Sequence, residues 1–138
     1  ICTGMPEPPV NIDIIANRDL VHNYRKMAGH MTIWPQVHAS RGCPHNCDYC
    51  ALVKHFGHCV RTRSPADVVQ DIRYSIDFFE KGHFRFLKDL WITDDNFFAD
   101  REWAISVLQA IIDSGIKYRF NIQARYMKSD SMMKCLSC

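Results

Sequence analysis

The segment "SRGCPHNCDYC", residues 40–50, carries three cysteines with the spacing C-x3-C-x2-C. Gly42, Pro44, Asn46 and Asp48 lie between or beside them, and these residue types favour tight turns. Three thiolates on so short a turn-prone loop can converge on one metal site. A closed structural zinc site takes four ligands, so the loop raises the question of what occupies a fourth position.

Two kinds of metal site fit this spacing. In a zinc site, the fourth ligand would have to come from the residues that follow the loop, namely His55, His58 or Cys59. In an iron–sulfur site, a cubane cluster normally takes four cysteine thiolates. Three cysteines would therefore leave one iron open for another group. The spacing favours iron–sulfur over zinc, and zinc remains the alternative.

The composition excludes several classes of protein. The chain has 138 residues, of which 47% are apolar and 23% charged, as in a single globular domain. Its net charge is +2 with both signs interspersed, which gives no electrostatic case for nucleic acid or an anionic membrane. No apolar run approaches the roughly 18 residues of a membrane span. We expect no secretory signal, because residues 1–10 lack a basic start and an apolar block.

The cysteine count favours metal binding in a reducing compartment. Seven is an odd number, and a tight cluster in a chain without an export signal more often binds metal than forms disulfides. We therefore predict a cytoplasmic protein. Four cysteines stand outside the loop and are interpreted as ordinary free thiols: Cys2, Cys59, Cys135 and Cys138.

The hydrophobic pattern predicts alternating strands and helices. Residues 1–32 are Pro-rich at the start and are interpreted as a connector, and a strand is expected from Ile33, directly before the cysteine loop. Ser64 caps a predicted helix that ends near Gly82. Its buried stripe is formed by Val68, Ile72, Ile76 and Phe79.

The same alternation continues after this helix. The segment "FLKDLWITDD" predicts a buried strand, and Asp100 is the expected N-cap of a second helix that closes at Gly115. Ala104, Leu108 and Ile111 are expected along its buried face. A third strand, "KYRFNIQARY", and the start of a third helix at Ser129 or Asp130 follow. This order favours parallel βαβ units, in an open sheet or a section of a barrel.

The cysteine spacing, with Tyr49 just before the last cysteine, resembles the cluster motif of the radical S-adenosylmethionine (radical SAM) superfamily. The strand before it, "RTRSPADVVQDI" after it and "LWITDDNF" at the next strand end are similar to the subgroup whose radical domain follows a cobalamin-binding domain. "MPEPPVNIDII" resembles the connector between those domains. The likeness covers about residues 5–130. It implies a partial (β/α) barrel, with residues 33–138 as an incomplete N-terminal part of the radical domain.

The resemblance also implies roles for individual residues. Cys43, Cys47 and Cys50 would bind a 4Fe-4S cluster whose open iron chelates S-adenosylmethionine. Tyr49 would lie against the adenine of that cofactor. The polar residues at the second strand end, Asp94, Asp95 and Asn96, would contact its methionine amino group, since carboxylate and amide oxygens accept from an ammonium.

Further basic and polar residues stand near the expected strand ends. Gln123 and Arg125 share a face of the third strand and could reach the cofactor carboxylate or the substrate, because barrel enzymes place their chemistry at the carboxyl ends of strands. Solvent exposure is the equal alternative for both. Arg61 and Arg63 flank the first helix start, where we expect them to face water, with anion binding as the alternative.

The resemblance limits what the chain can do alone. Three strands and two complete helices are predicted, fewer than a radical domain has, so we expect a fragment of an enzyme that lacks turnover by itself. The D-x-H-x-x-G motif of the cobalamin domain does not occur in the sequence. Cobalamin is therefore expected only in a longer protein, where the reaction could be methyl transfer or cyclisation. The resemblance further implies an electron donor such as flavodoxin or ferredoxin, and a small-molecule substrate.

Overall fold

The fold is a mixed α/β arrangement, seen in a computed structural model that describes residues 14–20, 34–52, 54, 58–80 and 88–124. A 310 turn at Arg18–Leu20 precedes the first strand. The strands are β1 (Gln36–Val37), β2 (Ser40–Arg41), β3 (Arg61–Thr62), β4 (Asp89–Ile92) and β5 (Arg119–Ile122). The helices are α1 (Pro65–Glu80) and α2 (Arg101–Asp113), and a second 310 turn spans Phe97–Ala99.

The central sheet is parallel, with the strand order β1-β4-β5. Gln36 is opposite Trp91 in the first pair, and Trp91 is opposite Asn121 in the second. Helix α1 lies between β1 and β4 in sequence, and α2 between β4 and β5. The predicted succession of parallel βαβ units is confirmed. A three-stranded sheet with two helices does not by itself establish a barrel.

The first strand is shorter than expected, and an unpredicted ribbon follows it. β1 ends at Val37, and β2 pairs antiparallel with β3, so that Ser40 is opposite Thr62 and Arg41 opposite Arg61. The cysteine loop therefore does not directly follow the first sheet strand, as predicted, but connects the two strands of this ribbon. Two-residue strands carry no alternating pattern that a sequence can show.

Helix α1 begins and packs as its sequence predicts. The Ser64 hydroxyl accepts from the Asp67 backbone N–H at 3.1 Å, and Pro65 is the first helical residue. The predicted stripe is buried throughout: Val68, Ile72, Ile76 and Phe79. One acidic residue, Asp71, is buried beside the stripe and was not predicted there.

Helix α2 is likewise confirmed at both ends. The Asp100 carboxylate accepts from the Trp103 backbone N–H at 3.1 Å, and Gly115 adopts a φ of 70° just after the last turn. The predicted face is buried and consists of Ala104, Leu108 and Ile111. Val107 is buried with them, and all four belong to the core cluster that includes residues of α1 and the sheet. The core therefore lies on the helix side of the sheet.

Two parts of the predicted organisation lie outside the described residues. These are most of the connector, residues 1–32, and the start of a third helix at Ser129 or Asp130. Within the described ranges, no helix is long and apolar enough to cross a membrane.

Candidate metal and cofactor site

The cysteine loop connects β2 to β3 beyond the carboxyl end of β1. Cys43, Cys47 and Cys50 are each half-buried, and none forms a disulfide. The Cys50 backbone N–H donates to the Cys47 carbonyl at 3.0 Å, which closes the turn that separates these two residues. Among the described residues, no three His, Cys, Asp or Glu side chains are placed so that they could hold a metal ion. The three thiols thus share one loop without converging in this conformation.

Gly42 lies where the start and the end of the loop approach each other. Its φ is 101°, and a Cβ at this position would lie 2.0 Å from the carbonyl oxygen of Cys59. Only glycine fits, because any side chain would collide with that backbone oxygen and would also occupy an unfavourable left-handed conformation. Cys59 is disulfide-bonded, which corrects its interpretation as a free thiol.

Three consecutive residues after β4, which we call the strand-end latch (Asp94, Asp95 and Asn96), contact the start of the cysteine loop. Asp94 accepts two hydrogen bonds of 2.7 Å, from the Ala39 N–H and from the Ser40 hydroxyl. The structure thus brings the latch together with the loop through contacts that span more than 50 residues of sequence.

The other two latch residues contact the next positions of the chain. Asp95 Oδ2 accepts from the Gly42 N–H at 2.9 Å, and Asn96 Nδ2 lies 3.9 Å from Cys43 Sγ. Each successive latch residue therefore contacts a later residue of the loop. The predicted cofactor-binding residues and the first predicted cluster ligand lie side by side.

The two aspartates of the latch have different surroundings. Asp94 is fully buried, and this desolvation raises the pKa of its carboxyl against the opposing effect of the hydrogen bonds from Ser40 and Ala39. Asp95 is mostly buried, with 13% of its side chain exposed, and its Oδ1 forms an ion pair with Arg41 Nη1 at 3.9 Å. That separation is beyond hydrogen-bond distance, so Asp95 Oδ1 retains the capacity to accept from a ligand.

The remaining predicted cofactor residues are Tyr49, Gln123 and Arg125. Tyr49 is 90% exposed, so its ring is accessible to a ligand. Gln123 is exposed just after β5, and its carbonyl accepts from the Phe97 N–H at 3.2 Å. This bond ties the end of β5 to the turn that follows the latch. Arg125 lies outside the described residues.

Arg63 is buried and paired within the protein, whereas the sequence predicted that it faces water. It is 3% exposed, and its Nη1 lies 2.8 Å from both Asp71 Oδ2 and the His38 carbonyl. Its own carbonyl accepts from Trp103 Nε1 at 2.7 Å. Arg61 lies in β3, opposite Arg41 in the ribbon. The only sequence signal for this pairing was the position of Asp71, directly before Ile72 of the predicted buried stripe.

Comparisons with known proteins find methyltransferases among the relatives of the chain. The chain is 27% identical over 92 residues to an uncharacterized methyltransferase of Synechocystis sp., which covers 64% of the chain and 16% of that protein. It is 27% identical over 128 residues to the hopanoid C-3 methylase of Methylococcus capsulatus, which covers 89% of the chain and 23% of that protein. It is 24% identical over 87 residues to the hopanoid C-2 methylase of Rhodopseudomonas palustris, which covers 63% of the chain and 15% of that protein.

The chain is similar to proteins that are named methylases or methyltransferases. The resemblance inferred from the cysteine loop is thereby confirmed. The chain spans less than a quarter of the length of the curated relatives it matches. No family model matches the chain, and no solved structure matches it.

The donor chemistry of the loop fits an iron–sulfur cluster in a radical SAM relative. Three thiols stand on one segment, and the Asn96 amide beside Cys43 supplies an N–H group of the kind that hydrogen-bonds cluster sulfur. The zinc alternative loses support, because Cys59 is in a disulfide and cannot supply a thiolate in this state. His58 is exposed, and His55 lies outside the described residues.

Proposed function

We propose that the chain is part of a radical SAM enzyme and that Cys43, Cys47 and Cys50 hold a 4Fe-4S cluster with one open iron. The observation that carries this proposal is the contact between the strand-end latch and the start of the cysteine loop. It fixes the first cysteine at the carboxyl ends of parallel strands, which is where α/β enzymes place their chemistry.

The chain's own residues would then bind and orient S-adenosylmethionine. Asp95 Oδ1 has acceptor capacity for the amino group of the cofactor, and the Asn96 amide lies next to Cys43 Sγ. Tyr49 would lie against the adenine, since an exposed aromatic ring next to a ligand-binding loop gains burial when a base stacks on it. Gln123 and Arg125 would meet the cofactor carboxylate or the substrate.

The bound cluster would supply one electron for reductive cleavage of the sulfonium bond, giving methionine and a 5′-deoxyadenosyl radical. The protein part of this chemistry is to present three thiolates, to hold the cofactor's methionine end against the open iron, and to limit access of water. A flavodoxin or ferredoxin would be the source of the electron.

For the reaction that follows, we propose methyl transfer. The support is the names of the relatives, two of which are hopanoid methylases and others uncharacterized methyltransferases. Cobalamin would serve this transfer in a longer protein, not through residues of this chain. The substrate would be a small molecule bound outside the described residues.

Anaerobic reconstitution with iron and sulfide tests the cluster. We expect a brown protein with close to four irons and four sulfides per chain, and a reduced-state electron paramagnetic resonance signal that changes when S-adenosylmethionine is added. The variants Cys43→Ser, Cys47→Ser and Cys50→Ser should each lose most of this iron. Asp77→Ser and Lys117→Ser, which alter exposed residues outside the loop, are the controls and should retain it.

The same experiment distinguishes the zinc alternative. A colourless chain that retains one tightly bound zinc, and that shows no spectral response to S-adenosylmethionine, would overturn the proposal in favour of a zinc-stabilised α/β binding module. Iron loss in the control variants equal to that in the loop variants would also contradict it, because it would show that the loop has no special part in binding.

A further inference from the structure

Asp94 has no surface available to a ligand. The residue is fully buried, and each of its carboxylate oxygens already accepts a hydrogen bond of 2.7 Å. Its neighbour Asp95 keeps 13% of its side chain exposed, and its Oδ1 forms only a long ion pair, 3.9 Å from Arg41 Nη1. Two adjacent acidic residues with the same chemistry therefore stand in different environments, and the difference indicates different tasks.

The hydrogen bonds of Asp94 continue the sheet where its backbone pairing stops. The last backbone bond between the first two parallel strands runs from the Thr93 N–H to the Val37 carbonyl at 3.0 Å. After Val37 the chain turns toward the β2–β3 ribbon. Asp94 then takes the place of a backbone acceptor, because it receives the Ala39 N–H and, with its second oxygen, the Ser40 hydroxyl.

The Asp94 side chain provides a hydrogen-bond partner for two groups at this position, the Ala39 N–H and the Ser40 hydroxyl. The Ala39 N–H is buried and would otherwise have no sheet partner, and leaving such a group unsatisfied costs more than a typical hydrogen bond contributes. Each of the two Asp94 carboxylate oxygens accepts from one of these donors. The carboxylate serves both, and it thereby fixes the direction in which the chain runs from Ser40 through Gly42 to Cys43.

We propose that Asp94 is a positioning residue that sets the place of Cys43, and that its carboxylate makes no contact with S-adenosylmethionine. The part of the proposal that concerns S-adenosylmethionine rests on the proposed function. The positioning of Cys43 does not, because it can be measured in the metal-free chain. It divides the strand-end latch into one residue that holds the loop, Asp94, and one that both holds the loop and faces the cofactor, Asp95.

Two substitutions separate positioning from cofactor contact. Asp94→Asn retains an oxygen for the Ala39 N–H, and its amide can donate to the Ser40 hydroxyl, which also accepts. Asp94→Ala removes the acceptor for both the Ala39 N–H and the Ser40 hydroxyl. If Asp94 positions the loop, the Asn variant should retain iron content and the spectral response to S-adenosylmethionine within about twofold, whereas the Ala variant should lose most of its iron.

The metal-free protein provides a readout that does not depend on the cluster. In Asp94→Ala, hydrogen exchange of the Ala39 amide should accelerate about tenfold or more, as expected when one buried hydrogen bond is lost. The alkylation rate of Cys43 should rise relative to that of Cys50. Ser40→Ala, which removes only one donor, should give a smaller change in the same direction, and Asp94→Asn should resemble the wild type.

The outcomes are distinct. Unchanged exchange at Ala39 and unchanged alkylation at Cys43 in Asp94→Ala would overturn the positioning role, as would an Asn variant that keeps its iron but no longer responds to S-adenosylmethionine. Hydrogen exchange of core amides in α2, such as that of Val107, reports whether the Asp94→Ala variant remains folded. If that variant unfolds, the same two measurements on Ser40→Ala test the positioning role. Failure of the wild type to take up iron would contradict the proposed function and leave the metal-free comparison valid.

Discussion

Arg63 Nη1 lies 2.8 Å from Asp71 Oδ2, and both side chains are at least nine-tenths buried. Arg63 follows β3 at the end of the cysteine loop, and Asp71 lies in the second turn of α1. The Arg63 guanidinium also donates to the His38 carbonyl at the base of the ribbon. The end of the loop is therefore held by a buried ion pair, just as its start is held by the strand-end latch.

Removal of the acidic partner should destabilise the fold severely. Asp71→Ala would leave the buried Arg63 guanidinium without its counter-charge, and breaking a buried pair in this way typically costs about 3–5 kcal/mol in the free energy of unfolding. Urea denaturation measures this quantity. Asp77→Ala, on the exposed side of the same helix, is the control and should change it by less than about 0.5 kcal/mol. Equal effects of the two substitutions would show that the ion pair contributes nothing.

Gly42 should not tolerate alanine, whereas Gly115 should. Both have positive φ, but only at Gly42 would a Cβ meet backbone, 2.0 Å from the Cys59 oxygen. Gly115→Ala should cost about 1–2 kcal/mol from the left-handed conformation alone. Gly42→Ala should cost clearly more and should also increase the alkylation rate of Cys43. A Gly42→Ala chain as stable as Gly115→Ala, with unchanged cysteine reactivity, would show that the loop can open at no cost.

The helices could be predicted from sequence because their determinants are local. Ser64 and Asp100 cap helices whose buried residues recur at helical spacing, and both caps form the predicted backbone bonds. The parallel order of the strands followed from the alternation of elements. Each of these signals lies within about 20 residues, so one segment suffices to show it.

The supports of the cysteine loop could not be predicted in the same way. Asp94 and Ala39 are separated by 55 positions, and either aspartate of the latch could equally have been a turn residue, a cap or a ligand contact. Arg63 had the sequence context of a surface residue, and only the packing of α1 and α2 around it buries its guanidinium. The fold decides which polar residues are structural, and the sequence showed only that they were polar.

Tyr118 should give the chain a specific loss of stability at high pH. Burial raises the pKa of its phenol to about 12, and the hydrogen bond to Glu80 acts in the same direction. Because the pKa is about 10 in the unfolded chain, the folded state retains the proton longer, and the free energy of unfolding should fall as the pH rises from 10 to 12. Urea titrations across this range, compared with Tyr118→Phe, measure the effect. The Phe variant should lose the Tyr118 part of the slope, and identical slopes would contradict the assignment.

Arg18 should attach residues 14–20 to the domain. Its Nη1 lies 2.9 Å from Asp71 Oδ1, its Nη2 donates to the Gln36 carbonyl at 2.9 Å, and its guanidinium carbon is 5.3 Å from the centre of the Tyr74 ring. Arg18→Met removes the charge but leaves Asp71 paired with Arg63. The cost should therefore be smaller than that of Asp71→Ala, about 1.5–3 kcal/mol, the usual contribution of hydrogen bonds to charged groups.

Arg18→Lys tests whether the planar guanidinium is needed. Lysine keeps the charge but cannot serve both acceptors and the ring at once, so its effect should lie between the wild type and Arg18→Met. Lys117→Met, at an exposed site, is the control for loss of one positive charge. Limited proteolysis should cut near residues 14–20 faster in Arg18→Met than in the control. Equal cleavage rates would show that this segment is held to the domain by other contacts.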